Sequence, residues 1–452
     1  MRKILYTVVF PAVIFLLPAA CNRDAGAVQP ENYRVATAVV LEWHRLLLEL
    51  ERHTPGYRPP VSARTWSYVE LAAWQTALPG MPEAVTLEKF IEGLPKPPAY
   101  SGDFYLPAGL NAAYAEIFRQ FFPTAPPHLL EEIETLESGN LRRFKSDSDA
   151  SVLTKSITYA KKTALDIWRW SATDPFGHEG FLFNFDRNYT PQECAGCWKP
   201  GGAHPMPALL PYWGKTRSLL VPASAVDVIP PTPYDDKPGS PFHVQAMEVF
   251  AMSKPLSNEH HWIAEFWSDD VPGLTVSPLG RWISITNQAL AQAELPLPQT
   301  LELYLKAAIA SADALVICWK NKYDYNLERP ETYIHRVVNP DWTPLHDSPS
   351  FPSYPSGHSA IGAAVSEVLT AFLGDAFPLT DRTHEGRTEF IGKPRSFGSF
   401  REMAEENALS RIALGVHYRM DCDEGLRLGR LVSKRVAALP FRKQEARISW
   451  SR

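Results

Sequence analysis

Residues 298–330 read PQTLELYLKAAIASADALVICWKNKYDYNLERP, and this stretch decides the fold. Residues 298–320 place apolar side chains at helical spacing over a length that no strand reaches, so they predict one long buried helix. Lys322, Arg329 and Pro330 follow at once. The helix therefore leads directly into two cationic side chains, and a proline marks the next change of direction.

The same 3.6-residue spacing recurs on both sides of this stretch, whereas alternating strand patterns are scarce. Proline clusters separate many of the periodic segments. The pattern predicts an all-α fold of helical bundles, two of them packed together, with the active site in the C-terminal one. The other predicted helices span residues 33–53, 64–78, 109–121, 127–138, 149–171, 242–251, 257–268, 279–293, 358–373, 399–414 and 422–438.

Residues 172–240 contain few periodic segments and many turn residues, so this stretch is the candidate linker or cap between the bundles. We predict a signal peptide over residues 1–20, an N-terminal helical bundle over residues 30–200 and a C-terminal helical domain over residues 201–452. The last of these contains the motifs described below.

Composition excludes several classes of protein. The chain has 452 residues, of which 45% are hydrophobic and 21% are charged, so it can bury a large core and is not disordered. Lys and Arg number 45 against 50 Asp and Glu, a net charge of -5. No basic excess supports nucleic-acid binding, and none is expected.

The N-terminus predicts export. Residues 1–20 read MRKILYTVVFPAVIFLLPAA and Cys21 follows. Arg2 and Lys3 precede an apolar region that ends in small residues, which is the pattern of a secretory signal. The sharper reading is a bacterial lipoprotein signal with a lipid on Cys21, so that the exported protein meets the membrane only through this anchor. An ordinary secretory signal, which gives a periplasmic or secreted protein, is the alternative, because Pro18 departs from the usual lipobox.

Four cysteines remain in the mature chain. Cys194 and Cys197 form a CAGC motif in a loop rich in Gly and Pro, where a local disulfide fits an oxidising compartment, although the sequence leaves this pairing open. Cys318 and Cys422 are expected to be small buried side chains.

Three segments, residues 322–330, 355–358 and 410–421, contain the chemistry. Each alone fits a structural role, such as a solvated cation, a helix start or a hydrogen-bonded His–Asp pair. Together they predict a pocket for a tetrahedral oxyanion, with all its ligands contributed by the C-terminal half of the chain.

The residue types suit such an anion. Lys322, Arg329 and Arg411 supply positive charge, and the two guanidinium groups can bind oxyanions through paired hydrogen bonds. Ser356 supplies a hydroxyl, and Gly357 places a backbone N–H at a helix N-terminus, where the helix dipole favours anions.

Two histidines complete the set. His358 and His417 can move protons or bond the central atom near neutral pH. Asp421 lies four residues after His417 and can accept its second N–H, which fixes the tautomer.

The pattern K-x6-RP … PSGH … SR-x5-H-x3-D resembles the vanadium-dependent haloperoxidases and the type 2 phosphatidic acid phosphatases, and all eleven specified positions match. The integral lipid phosphatases of this superfamily have several transmembrane helices, and its soluble acid phosphatases are much shorter. The length of this chain and its helical N-terminal half are therefore similar to the haloperoxidases.

Local sequence is similar to the chloride-oxidising branch. Trp319 lies three residues before Lys322 and Phe351 seven before His358, and in that branch both aromatics line the halide position. The alternative is that both are ordinary core residues. Upstream, Asp270 resembles a family aspartate that pairs with the motif arginine, here Arg411, and Asp269 is the fallback for this role.

The resemblance implies a vanadate cofactor, bonded through its metal to His417 and held by Lys322, Arg329, Arg411, Ser356 and Gly357. Halide is then oxidised by hydrogen peroxide to hypohalous acid, with His358 and His417 as catalytic residues, Lys322 activating the peroxide and Asp421 orienting His417. Hydrogen peroxide, halide and a small organic substrate are the expected partners.

The alternative is an exported acid phosphatase with the same pocket. In that class the histidine that corresponds to His417 attacks phosphorus to form a phosphohistidine, and the histidine that corresponds to His358 protonates the leaving oxygen. Phosphate and vanadate are nearly isosteric, so the eleven motif residues do not separate the two reactions. An anion-binding protein without turnover is a third reading, and two intact histidines argue against it.

Overall fold

The structure, a computed structural model, describes residues 30–201, 205–253, 256–269, 271, 273–389 and 392–443. Helices dominate these ranges, and strands are limited to two short antiparallel pairs, which confirms the all-α prediction. The helices are α1 Glu31–His53, α2 Pro59–Ala77, α3 Leu106–Phe121, α4 Pro127–Phe144, α5 Ala150–Ser171, α6 Pro241–Ser253, α7 Asn258–Phe266, α8 Pro278–Ala293, α9 Leu297–Tyr325, α10 Pro330–Val337, α11 Gly357–Leu373, α12 Phe400–Ala413 and α13 Arg419–Ala437. The strands are β1 Phe185–Asp186, β2 Ala208–Leu209, β3 Leu379–Asp381 and β4 Arg395–Phe397.

The first five helices pack around α3, which lies against α1, α2, α4 and α5. Trp43 of α1 meets Phe118 of α3 edge-on, with ring centroids 5.3 Å apart. The sequence pattern placed the start of α2 at residue 64, but the helix begins at Pro59. The prolines there fit the first turn, because the first N–H groups of a helix need no partner within it.

The second set of helices packs around α11, which lies against α9, α12 and α13. Gly425 of α13 permits this close packing, since a Cβ added there would lie 2.5 Å from the backbone oxygen of Ser356. This contact, with the hydrogen bond from the N–H of Ser356 to the oxygen of Asp421 at 2.9 Å, places the first two turns of α13 beside the N-terminus of α11. Two of the three predicted motif segments therefore meet at one end of these helices.

The long helix α9 joins the two sets. It packs against α2 on one side and against α11 and α13 on the other. One continuous hydrophobic core consequently includes residues of both sets. The division of the chain near residue 200 stays a prediction. The helix continues past the predicted end at residue 320 and stops at Asn326, whose φ of 45° is left-handed. Lys322 therefore lies in its last turn.

Between α5 and α6 the described residues contain short turns and the β1–β2 pair but no α-helix, as the sequence pattern predicts. This region is packed onto α9. The buried carboxylate of Asp313 accepts hydrogen bonds from the backbone N–H groups of Leu219, Leu220 and Val221, at 2.7, 2.9 and 2.7 Å. The region acts as a cap on the second helix set.

Cys194 and Cys197 form a disulfide, and the loop that it closes pairs with the chain just before Arg329. The N–H of Trp198 donates to the oxygen of Asn326 at 2.7 Å, and the N–H of Glu328 donates to the oxygen of Gly196 at 2.9 Å. Cys318 and Cys422 are buried free cysteines, as predicted.

The predicted signal over residues 1–20 and the lipidation site Cys21 lie outside the described residues, so both stay predictions. Of the helices that the structure does describe, none combines the length and the apolar character needed to cross a membrane.

Candidate active site

Lys322 is fully buried at the end of α9. Its ammonium group donates to the backbone oxygens of Pro352 and Ser353, at 3.0 and 2.8 Å. Burial lowers the pKa of Lys322 to about 7, because it penalises the charged form, and the nearby positive charge of Arg329 adds to this effect. An anion beside the ammonium group would favour its charged form again.

Arg329 is the N-cap residue of α10, a helix that the sequence pattern did not reveal. Its guanidinium donates to the backbone oxygen of Phe351 at 2.9 Å and to that of Val416 at 2.8 Å. The same Nη1 lies 3.1 Å from Nε2 of His417. These contacts bring the first and third motif segments together.

The second motif segment forms the N-terminus of α11. Ser356 is the N-cap residue, and its Oγ accepts a hydrogen bond from the N–H of Ser359 at 3.4 Å, which leaves its own proton available to an anion. Gly357 follows, and a Cβ added there would lie 3.2 Å from the ring of Trp319. A side chain at Gly357 would therefore crowd the ring of Trp319. His358 is half-buried.

His417 and Asp421 form a buried pair at the start of α13. Nδ1 of His417 lies 2.8 Å from Oδ2 of Asp421, and the same oxygen accepts the N–H of Tyr418 at 3.1 Å. Asp421 thereby fixes the ring with its proton on Nδ1 and its lone pair on Nε2. Burial raises the pKa of Asp421, although the hydrogen bond from Ser353 and the charge of Lys322 act in the opposite direction.

His417 is held neutral. Burial lowers its pKa well below the ordinary value, and the positive charges of Arg329, Lys322 and Arg411 lower it further. Nε2 consequently keeps the lone pair that a bond to a metal or to phosphorus requires.

A tight turn brings Arg411, at the end of α12, close to His417. The N–H of Val416 donates to the backbone oxygen of Arg411 at 3.1 Å, and Gly415 adopts a φ of 88°. That left-handed conformation favours glycine. Arg411 itself is buried.

Trp319 and Phe351 form an aromatic wall beside the cations. Their ring centroids are 5.1 Å apart. The ammonium nitrogen of Lys322 lies 4.9 Å from the centroid of the Phe351 ring, and the guanidinium carbon of Arg329 lies 4.8 Å from it. The two aromatics therefore contact the cationic cluster itself, which a remote core position would not allow.

A cavity of about 450 Å³ opens onto these groups. Six of the predicted site residues are among those that line it, namely Trp319, Phe351, Gly357, His358, Arg411 and His417. Lys322, Arg329, Ser356 and Asp421 are buried against this lining through the contacts given above. The structure thus brings together ten of the predicted residues, all from the C-terminal half.

The predicted partner of Arg411, Asp270, lies outside the described residues, and that pairing stays a prediction. Its neighbour Asp269 is engaged elsewhere. The carboxylate of Asp269 lies 2.9 Å from Nε of Arg281 and 2.9 Å from Nε2 of His384.

Sequence reasoning missed several contributors. Ser353, whose hydroxyl donates to Oδ2 of Asp421 at 2.5 Å, lies two residues before the PSGH motif, but no spacing rule marks it. The cavity also includes Phe185 and Leu209 of the β1–β2 pair and Arg58 at the start of α2. Only tertiary packing brings these distant positions together.

The donor set fits a tetrahedral oxyanion such as vanadate. Lys322, Arg329 and Arg411 provide positive charge, and Ser356 and Gly357 place a hydroxyl and a backbone N–H at the N-terminus of α11. Asp421 faces the back of His417 rather than the cavity lining, so it orients the histidine instead of opposing an anion.

Comparisons with known proteins give the same picture. The family described as the VCPO second helical-bundle domain matches residues 302–443, a range that includes all three motif segments. A curated relative, vanadium chloroperoxidase of Curvularia inaequalis, is 26% identical over 216 residues, which are 34% of this chain and 35% of the relative. The vanadium-dependent bromoperoxidase of Ascophyllum nodosum is 36% identical over 97 residues, 20% of this chain and 17% of the relative.

These two matches span about a third or less of the curated relatives' own lengths. Over nearly the whole fold, a solved bacterial vanadium-dependent iodoperoxidase has a TM-score of 0.79 at 26% identity, and the match covers 90% of this chain and 97% of that one. The sequence and fold likenesses together confirm that this chain is related to the vanadium-dependent haloperoxidases.

Proposed function

We propose that this chain is a vanadate-dependent haloperoxidase that oxidises halide with hydrogen peroxide to hypohalous acid. The observation that carries the proposal is the buried cluster in which Nη1 of Arg329 lies 3.1 Å from Nε2 of His417, Arg411 lines the same cavity as His417, and Lys322 is buried beside them. Three cations around one neutral histidine form a site that a tetrahedral oxyanion would complete. The matches to named haloperoxidases support the same reading.

The geometry supports a definite set of residues that would hold the anion. Nε2 of His417 is the nitrogen that would bond vanadium, because Nδ1 is engaged by Asp421, and the hydrogen bond that Arg329 gives to Nε2 would pass to an oxygen of the anion. Lys322, Arg329 and Arg411 would neutralise the oxygens of the anion. The hydroxyl of Ser356 and the N–H of Gly357 would donate to them at the positive end of the α11 dipole.

Bound vanadate would supply a Lewis acid that polarises hydrogen peroxide without a change in its own oxidation state. The chain would provide the remaining steps. A ring nitrogen of His358, which lines the cavity, accepts a proton from the incoming peroxide. The ammonium of Lys322 would donate a hydrogen bond to an oxygen of the bound anion and stabilise negative charge there.

Trp319 and Phe351 would exclude water where the halide approaches, which raises its reactivity. The similar proteins are named for chloride, bromide and iodide, so the resemblance to the chloride-oxidising branch stays a prediction. The cavity also has an apolar side, formed by Phe185, Met206 and Leu209, that suits a small organic substrate.

The test is a pair of assays on one preparation. Purified protein loaded with orthovanadate is assayed for peroxide-dependent halogenation with chloride, bromide and iodide, and vanadate-free protein is assayed for phosphate-ester hydrolysis. We expect halogenation only in the vanadate-loaded protein. Phosphate-ester turnover without halogenation would contradict the proposal and support the phosphohistidine reaction at His417.

We further propose that the protein is exported and anchored by a lipid on Cys21, on the strength of residues 1–20 alone. Cys21→Ser should release the mature protein from the membrane fraction. A wild-type protein that is fully soluble after export would contradict the anchor but not the enzyme.

A further inference from the structure

Ser353 lies at the centre of the segment formed by residues 351–356, which connects the aromatic wall to the start of α11. Its side chain is fully buried. Its backbone oxygen accepts the ammonium of Lys322 at 2.8 Å, and its N–H donates to the oxygen of Leu327 at 2.9 Å. Its hydroxyl donates to Oδ2 of Asp421 at 2.5 Å. Ser353 therefore bonds to Lys322 directly and to His417 through Asp421.

The hydroxyl of Ser353 donates to the same carboxylate oxygen of Asp421 that orients His417. Oδ2 of Asp421 is the atom that accepts Nδ1–H of His417 at 2.8 Å, and the N–H of Tyr418 donates to it as well. Hydrogen bonds to a carboxylate are stronger than those between neutral groups, so three donors at one oxygen hold its orientation firmly. The direction of the lone pair on Nε2 of His417 follows from that orientation.

We infer that Ser353 is a positioning residue for the oxyanion site: its hydroxyl orients His417 through Asp421, and its backbone oxygen orients Lys322. This inference rests on the proposed function, in which Nε2 of His417 bonds the central atom. Ser353 touches neither the anion nor the substrate on this account and acts only through its two neighbours.

The two contacts of Ser353 can be separated. Ser353→Ala removes the hydroxyl but keeps the backbone oxygen, so the support of Lys322 persists while that of Asp421 is lost. Vanadate and phosphate then report on different parts of the pocket. Both anions would use the cations, but only vanadate would also take a bond from Nε2 of His417 under the proposed function. Misorientation of His417 should therefore weaken vanadate binding selectively.

The experiment titrates wild-type and variant proteins, free of anion, with orthovanadate and separately with inorganic phosphate by calorimetry. We expect Ser353→Ala to raise the Kd for vanadate by about 10-fold or more, the usual effect of losing a group that orients a metal ligand, and to change the Kd for phosphate much less. Ser353→Thr keeps a hydroxyl and should restore the vanadate-to-phosphate ratio. Because the ratio is measured within one preparation, a loss of folded protein cancels.

Ser366→Ala is the matched control. It removes the hydroxyl of a different buried serine, on α11, and that hydroxyl donates to the oxygen of Ala363 at 3.2 Å. It should leave the ratio unchanged. A wild-type ratio in Ser353→Ala, or an equal loss for both anions, would overturn the positioning role and leave the proposed function intact. A wild-type protein that binds phosphate but no vanadate would overturn the proposed function and this inference with it.

Discussion

Two regions of this protein bury positive charge, and they neutralise it differently. Arg281 on α8 lies between two carboxylates, with Nε 2.9 Å from Oδ2 of Asp269 and Nη1 2.9 Å from Oδ2 of Asp381. Lys322 has no carboxylate within ion-pair distance among the described residues, and it donates to two backbone oxygens instead. The charge of Arg281 is therefore balanced by carboxylates of the chain itself, whereas the charge of Lys322 would be balanced by a bound anion.

The difference separates a structural charge from a binding charge. Carboxylates around Arg281 raise its pKa, so its charge is secure. Burial without such a partner lowers the pKa of Lys322. A cavity lies beside the second region, and its lining includes Arg411 and His417. Burying a cation without a directly paired carboxylate costs folding free energy. When such a cation lies beside a cavity, it therefore indicates a binding site for an anionic ligand.

The largest expected effect is a loss of folding stability when Arg281 is replaced. Arg281→Ala leaves Asp269 and Asp381 buried without their partner, and breaking such a group costs about 3–5 kcal/mol of folding free energy. Chemical denaturation of the anion-free protein measures the loss. The folded fraction should still bind inorganic phosphate. Loss of phosphate affinity without loss of stability would erase the distinction between the two regions.

Lys322→Met should give the opposite result. It removes a buried cation that no directly paired carboxylate compensates for desolvation, so the stability of the anion-free protein should stay equal or rise. Affinity for phosphate and vanadate should fall by about 10- to 100-fold, the value of a lost charged hydrogen bond. Calorimetry and thermal unfolding on the same samples test both parts. A variant that is strongly destabilised would show that Lys322 is structural, as Arg281 is.

Phe351→His tests the aromatic wall beside the lysine. A hydrated, titratable ring would replace an apolar one, and chloride, which is harder to oxidise than bromide, should depend more on desolvation. We expect the chloride-to-bromide activity ratio of vanadate-loaded protein to fall by about tenfold, a change of 1.4 kcal/mol in relative barrier height. Equal losses for both halides, with a lowered melting temperature, would show that Phe351 only packs.

Asp313 is a second buried charged group to compare with Lys322. It also bonds only to backbone groups among the contacts given, yet it does not line the cavity. Burial raises its pKa to about 6, although three backbone N–H groups act in the opposite direction. The folded state therefore holds a proton that the unfolded chain releases at about pH 4. Ionisation of Asp313 should lower stability as the pH rises from about 4 to about 6, and not beyond.

Asp313→Asn removes this titration. The stability advantage of the wild type over the variant should shrink by about 2 kcal/mol across that interval. Denaturant unfolding of both proteins at several pH values measures it. A constant difference between the two proteins would mean that the folded state does not shift the pKa of Asp313.

Much of the site could be predicted from sequence because its chemistry is concentrated in short local patterns. His417 and Asp421 are one helical turn apart, and Ser356 and Gly357 begin a helix, so their relation follows from backbone geometry alone. The helix α9 was predicted from its apolar spacing, although its end was placed five residues early, at residue 320 rather than Tyr325.

Other contributors lay beyond such reasoning because they depend on tertiary packing. Ser353 matters through contacts with residues 31 and 68 positions away. Phe185 reaches the cavity through the cap between the helix sets. The helix α10 was missed because Pro330 indicates a break in a sequence pattern, while in the structure it forms the first turn.

The most direct test of the account is a calorimetric titration of the anion-free protein with orthovanadate, alongside His417→Ala. His417 is the ligand to the central atom in this account, whereas Lys322, Arg329 and Arg411 remain in the variant. We predict stoichiometric binding of one vanadate by the wild type and at least about a 100-fold loss of affinity in His417→Ala, with phosphate affinity largely retained. Equal vanadate affinity in the two proteins, or no vanadate binding by the wild type, would contradict the central claim.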